Sequence, residues 1–155
     1  MIRVLFLLFL FASCSLSPVK SEFNEQSQRV NKENIKDGHS RVIFYNSYDF
    51  LNNVDTSSSE LNLYINEKGL VHLKPLKYYV IDLKKGEHNL KLVHKDIFDI
   101  SSNHKLKLKK DIHYFEVKMS PLNPFSNDFE EHDKLPKFFH QFYKDIHGKD
   151  PYKDK

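Results

Sequence analysis

Cysteine is almost absent from this chain of 155 residues: the only one is Cys14. No internal disulfide can form, and the paired Cys/His spacings of structural zinc sites cannot be built. Glycine is nearly as scarce, with four residues and no two adjacent, which leaves no Gly-rich loop to cradle a phosphate. Neither a GxSxG elbow nor an HExxH motif occurs. The one extended apolar run, Val4 to Phe11, spans about 12 Å as a helix against about 30 Å of bilayer hydrocarbon, too short for a permanent span. Charge of one sign is lacking too. The 24 basic and 21 acidic side chains leave a net +3, which implies no nucleic-acid partner by itself.

Aromatic side chains are plentiful in spite of the missing tryptophan. Thirteen Phe and eight Tyr suffice to fill the core of one small β-domain with tails. The N-terminus reads as a secretory signal: Met1-Ile2-Arg3 is a short positive start, Val4 to Phe11 the apolar stretch, and Ala12-Ser13 a small-residue pair. Phe11-Ala12-Ser13-Cys14 resembles the lipobox of bacterial lipoproteins, in which the cysteine is acylated and becomes the new N-terminus. The resemblance implies residues 1–13 as a signal peptide, Cys14 as the lipidation site and membrane lipid as a partner. It explains the unpaired exported thiol. Several acyl chains at about 0.8 kcal/mol per buried CH₂ give stable attachment where one is marginal. By resemblance to Gram-negative lipoproteins, Ser15 in place of an Asp after the cysteine implies the outer rather than the inner membrane, with the domain facing the periplasm. Export also separates the chain from nucleic acid.

Residues 14–39 are polar, sparse in apolar groups and interrupted by Pro18 and Gly38, and are expected to form a flexible spacer reaching about 25 to 30 Å. From residue 40 to 120 the grammar is that of strands. Lys77 to Leu92 is the clearest stretch: Tyr79, Ile81 and Leu83 alternate before Gly86, and Leu90 and Leu92 after it, which predicts a β-hairpin. Arg41 to Tyr45, Leu61 to Ile65 with a turn at Asn66–Gly69, Leu70 to Leu73, His104 to Lys109 and Ile112 to Met119 supply the remaining strands. About seven short strands predict a mainly β fold, a sandwich.

Asp82 to Leu90 (DLKKGEHNL) and Leu106 to Val117 (LKLKKDIHYFEV) together resemble the family called domain of unknown function 2846, many of whose members are small envelope lipoproteins. Lys85 stands where the family commonly has Pro, and Asp111 where it commonly has Gly. The resemblance implies a prealbumin-like or immunoglobulin-like β-sandwich and brings no activity with it.

Nine histidines invite a metal hypothesis. His88, His94, His104 and His113 lie on or beside strands, with His94 and His104 placed to meet across neighbours, but no spacing matches a zinc motif, so no metal ligand or cofactor is assigned. Lys91, Lys95, Lys105, Lys107, Lys109 and Lys110 read as a solvated face that blocks edge-to-edge pairing, or as a strip for anionic headgroups or polysaccharide. Residues 121–155 form a tail in which Asp133, Pro136, Gly148 and Pro151 bracket an amphipathic helix over about 133–147. Its stripe is Leu135, Phe138, Phe139, Phe142 and Ile146. That stripe either covers the sandwich, or docks a partner protein or lies on the membrane, which makes Phe138, Phe139, Phe142 and Ile146 the partner-binding candidates. The expectation is therefore a non-enzymatic, membrane-anchored envelope lipoprotein acting as an interaction or structural module. The alternative is a lipoprotein that binds a metal ion or an anionic envelope component.

Overall fold

In the computed structural model the described residues are 16–23, 34–47, 60–95, 99–120, 126–134 and 136. They contain eight strands: β1 (His39–Tyr45), β2 (Leu61–Ile65), β3 (Lys68–Leu73), β4 (Tyr78–Lys84), β5 (Gly86–Lys95), β6 (Asp99–Leu108), β7 (Ile112–Met119) and β8 (Asn127–His132). Two four-stranded sheets result, ordered β4-β1-β7-β8 and β3-β2-β5-β6. Neighbours pair antiparallel throughout except β1 and β7, which run parallel.

Alternation along each strand sends one set of side chains to a common interior. Val42 and Phe44 of β1, Ile81 and Leu83 of β4, and Phe115 and Val117 of β7 meet Leu61, Leu63, Leu90, Leu92, Leu106 and Leu108 of the other sheet in one buried cluster. Phe44 stacks on Phe115 at 5.8 Å between ring centroids, and Phe115 on Phe129 at 5.0 Å. Burial of each such side chain contributes about 1.5–3 kcal/mol, and the shared cluster makes the two sheets one unit.

Four features depart from the sequence reading. Lys77 to Leu92 does form two strands, but they are not hairpin partners: β4 pairs with β1, whereas β5 pairs with β2 and β6. Gly86, at φ 133°, carries the chain from one sheet to the other, so Tyr79, Ile81 and Leu83 face Leu90 and Leu92 across the core. The strand count is eight because β8 lies at residues 127–132, inside the stretch read as tail. The strand read from His104 begins five residues earlier, at Asp99. Finally, residues 16–23, read as flexible spacer, lie against β2 and β3. The C-terminal helix over 133–147 falls almost wholly outside the described residues.

The second face of the β4-β1-β7-β8 sheet is apolar at its centre. Ile43, Tyr45, Val80 and Tyr114 form a separate buried cluster there, edged by Tyr78 and Ile112. β1 is consequently buried on both faces, as its unbroken Val-Ile-Phe-Tyr run allows.

Candidate functional site

Register places a polar cluster beside that second apolar face. Glu116 of β7 stands directly opposite Glu130 of β8, Tyr114 opposite His132, and Tyr45 of β1 beside Glu116. Two carboxylates facing each other across an antiparallel pair repel. Donors gather around them. His132 Nε2 lies 3.0 Å from Glu116 Oε2 and 3.8 Å from Glu130 Oε2, Lys118 Nζ donates to Glu116 Oε1 at 3.1 Å, and Ser47 Oγ donates to that same oxygen. The buried Tyr45 phenol has its pKa pushed well above the ordinary tyrosine range, first by burial and then by the charges of Glu116 and Glu130.

One potential ligand atom from each of Glu116, Glu130 and His132 falls within 4.8 Å of the other two. Such a His and two carboxylates, with water completing the shell, is a donor set that suits a divalent cation. Without one, the same atoms form an ionic network that ties β7 to β8.

The histidines singled out in the sequence do something else. His113 Nε2 accepts from the backbone N–H groups of Lys109 and Lys110, both at 3.1 Å, so Nδ1 carries the proton and donates to Glu131 Oε1 at 2.9 Å. It holds the β6–β7 turn. His88 Nε2 donates to the Lys84 carbonyl at 2.8 Å and its Nδ1 accepts from Asn66, bracing the Gly86 crossing. His94 is fully buried and bonds Asn127 Oδ1 through Nδ1 at 2.6 Å. His104 contacts Ser102 Oγ at 2.9 Å and lies over the Phe129 ring at 5.0 Å; burial lowers its pKa, against an opposing pull from Asp128. His94 and His104 do not meet. Their cross-strand partners are Ile100 and Leu90, so they stand four register positions, about 13 Å, apart.

The lysines divide as well. Register puts Lys91, Lys105 and Lys107 on the outer face of the β3-β2-β5-β6 sheet, with Lys91 Nζ 5.9 Å from the Tyr64 ring centroid and Lys107 3.7 Å from Glu87. Lys110, in the β6–β7 turn, instead meets Glu131 at 3.3 Å and Asp133 at 3.7 Å, and its hydrogen bond to Glu131 raises its pKa.

The third polar constellation fastens the N-terminal segment. The Asn62 side chain of β2 donates through Nδ2 to the Ser17 carbonyl at 2.7 Å and accepts from Val19 N at 3.2 Å, while His72 meets the same Oδ1 at 2.8 Å. At Gly69 of β3 the segment docks edge-on: Glu22 N donates to the Gly69 carbonyl at 2.9 Å and Gly69 N donates to Glu22 Oε1 at 2.7 Å. A Cβ on Gly69 would sit 2.7 Å from both the Lys20 carbonyl and Val19 Cγ2, so only glycine admits this approach. Leu16 is buried, and Phe23 packs against the core.

Cys14, Phe138, Phe139, Phe142 and Ile146 lie outside the described residues. Sequence reasoning missed Glu116, Glu130, His132 and Asn62. Asn-Asp-Phe-Glu-Glu-His has a single apolar residue and carries no strand signal, yet the spacing of two between Glu130 and His132 puts both on one face once β8 is a strand. No family model, no curated protein and no solved structure matches the chain.

Proposed function

We propose that this chain is a lipid-anchored, non-catalytic interaction module of the bacterial envelope, acylated at Cys14 and carried by the outer membrane on its periplasmic side. The observation that carries this reading is the docked segment from Leu16 to Phe23: a chain fastened to the domain two residues after Cys14 turns a lipid at that cysteine into a fixture of the fold. The fold we assign is the prealbumin-like sandwich. Supporting it, β1 pairs with β4 and β7, whereas the immunoglobulin order puts the first strand beside the second. A protein partner would engage the candidate stripe Phe138, Phe139, Phe142 and Ile146. The test is the mass of the N-terminal peptide from cells expressing the protein, with membrane fractionation of wild type and Cys14→Ser. Acylated Cys14 with outer-membrane sedimentation is expected, and Cys14→Ser should lose both. An unmodified Cys14 in a soluble periplasmic product would sink the reading.

A second reading, cation uptake, is favoured by the closeness of Glu116, Glu130 and His132. Calorimetry with Zn²⁺ tests it: micromolar binding that Glu130→Gln and His132→Ala both abolish would support a cation site. Binding weaker than millimolar would leave the ionic network as the role of these residues.

A further inference from the structure

The docked segment fixes which side of the domain an anchor at Cys14 would draw toward the membrane. Asn62 and Gly69, which hold its residues 17–22 by four hydrogen bonds, face outward from the β3-β2-β5-β6 sheet. Asn62 pairs with His72 and Val93, and Tyr64 pairs with Gly69 and Lys91, so Asn62, Tyr64, Gly69, Lys91 and Asn103 share one face. Traced from Phe23 back to Ser17, the segment leaves the core, rounds the β3 edge at Gly69 and ends over β2 at Asn62. Only Ser15 separates Leu16 from Cys14, two steps along the chain. At about 3.5 Å per residue these two steps span at most about 7 Å, about the thickness of one headgroup layer.

We propose that the outer face of the β3-β2-β5-β6 sheet lies on the membrane, with Tyr64, Lys91 and Lys105 in contact with the headgroups of an anionic leaflet. The proposal rests on the acylation of Cys14 assigned above and adds the orientation and the contact surface. The chemistry of the two outer faces favours this side. Tyr64, Lys91, Asn103 and Lys105 line a broad groove of about 790 Å³ whose one acidic lining residue is Glu67, and Lys20 of the docked segment is exposed beside it. Tyrosine is a side chain of membrane interfaces, with an apolar ring and a polar tip, and exposed lysines are drawn to anionic lipid. The opposite outer face presents Glu116, Asp128 and Glu130 against the single Lys118 along β7 and β8, an acidic excess that an anionic leaflet repels. The tether is too short for the domain to turn over while Ser17 and Glu22 keep their bonds.

The test uses the full-length acylated protein in vesicles of phosphatidylethanolamine and phosphatidylglycerol. Since Cys14 is the sole cysteine and is consumed by lipid, one introduced cysteine can be labelled cleanly. Asn103→Cys marks the proposed contact face and Lys84→Cys the opposite one; both positions are exposed. A fluorophore at residue 103 should be quenched by headgroup-level spin-labelled lipid at least threefold more than one at residue 84. Lys91→Glu with Lys105→Glu should shrink that ratio toward one, without releasing the protein from the vesicles. Equal quenching at the two positions, or stronger quenching at residue 84, overturns the orientation while the anchor reading stands. If the N-terminal peptide proves unacylated and the protein fails to float with the vesicles, the anchor reading and the orientation fall together.

Discussion

Arg41 Nε and Nη2 each donate to one carboxylate oxygen of Asp82 at 2.8 Å, a forked pair formed directly across β1 and β4. The guanidinium is 3% exposed and the carboxylate 14%. Removing one partner of a buried ion pair is far costlier than removing both, because a charge stays behind in low dielectric. Asp82→Ala is expected to lose about 3 kcal/mol of unfolding free energy, and Arg41→Met with Asp82→Leu to recover most of it. Urea denaturation of the three proteins gives the answer, and equal losses for the single and double variants would refute the buried-pair account.

Gly69→Ala tests the docked segment. The added methyl collides with the Lys20 backbone, which cannot swing away as a side-chain tip could. The expected cost is about 1–3 kcal/mol, the range for overpacking. Limited trypsin digestion should then cut after Lys20 much faster than in wild type, with β2 and β3 still protected. Unchanged cleavage at Lys20 would mean that the segment is held by something other than the approach at Gly69.

How much of this was legible in the sequence depends on what each residue had to signal. The alternation of Tyr79, Ile81 and Leu83, and of Leu90 and Leu92, correctly marks core positions, because a period of two is a local property. Which strand pairs with which is not local. Gly86 signals a reversal, and nothing in DLKKGEHNL distinguishes a hairpin from a crossing between sheets. Gly69 misleads in a related way: it reads as the glycine of the β2–β3 turn, yet the positive φ values there belong to Asn66 and Glu67. Its real requirement, space for Lys20 and Val19, comes from a segment more than forty-five residues away in the chain. β8 was illegible because an edge strand facing solvent needs little apolar character, and with it went the juxtaposition of Glu116, Glu130 and His132.

Tyr45 should stay neutral well above the pH at which an unfolded tyrosine ionises. Burial and the neighbouring Glu116 and Glu130 hold the proton on, while an unfolded tyrosine releases it near pH 10. The unfolded state therefore binds fewer protons above about pH 10, and stability falls as pH rises from there. Alkaline titration followed by tyrosinate absorbance should show one late step that coincides with unfolding. Tyr45→Phe should remove that step, and a Tyr45 that ionises near pH 10 in the folded protein would contradict the burial argument.

His104 makes the opposite prediction on the acid side. Burial lowers its pKa beneath the unfolded imidazole value of about 6.5, so below that pH the unfolded chain takes up a proton the folded chain resists. Stability should decline as pH falls from about 6.5 toward the lowered folded value, and should be indifferent to this group above it. His104→Gln should flatten that part of the profile in urea denaturation at a series of pH values. A steeper decline in the variant would show that the ring is better charged than neutral in the folded state.

The β2–β3 turn offers a gain in stability. Asn66 at φ 50° and Glu67 at φ 70° both occupy the left-handed region, the backbone of a two-residue turn that matches the twist of its strands. Asn66 suits its place: its Oδ1 accepts from Asn89 N at 2.9 Å and its Nδ2 reaches His88 Nδ1 at 3.1 Å, so the side chain ties the turn to β5. Glu67 has no such reason to be there. An L residue in this conformation costs about 1–2 kcal/mol, and glycine's extra freedom in the unfolded chain gives back part of the difference. Glu67→Gly is therefore expected to stabilise by about 0.5–1 kcal/mol, whereas Asn66→Ala should lose about 1 kcal/mol or more with its two bonds. Urea midpoints for both variants decide the matter. Destabilisation by Glu67→Gly would mean that the glutamate side chain contributes more to the turn than its backbone costs.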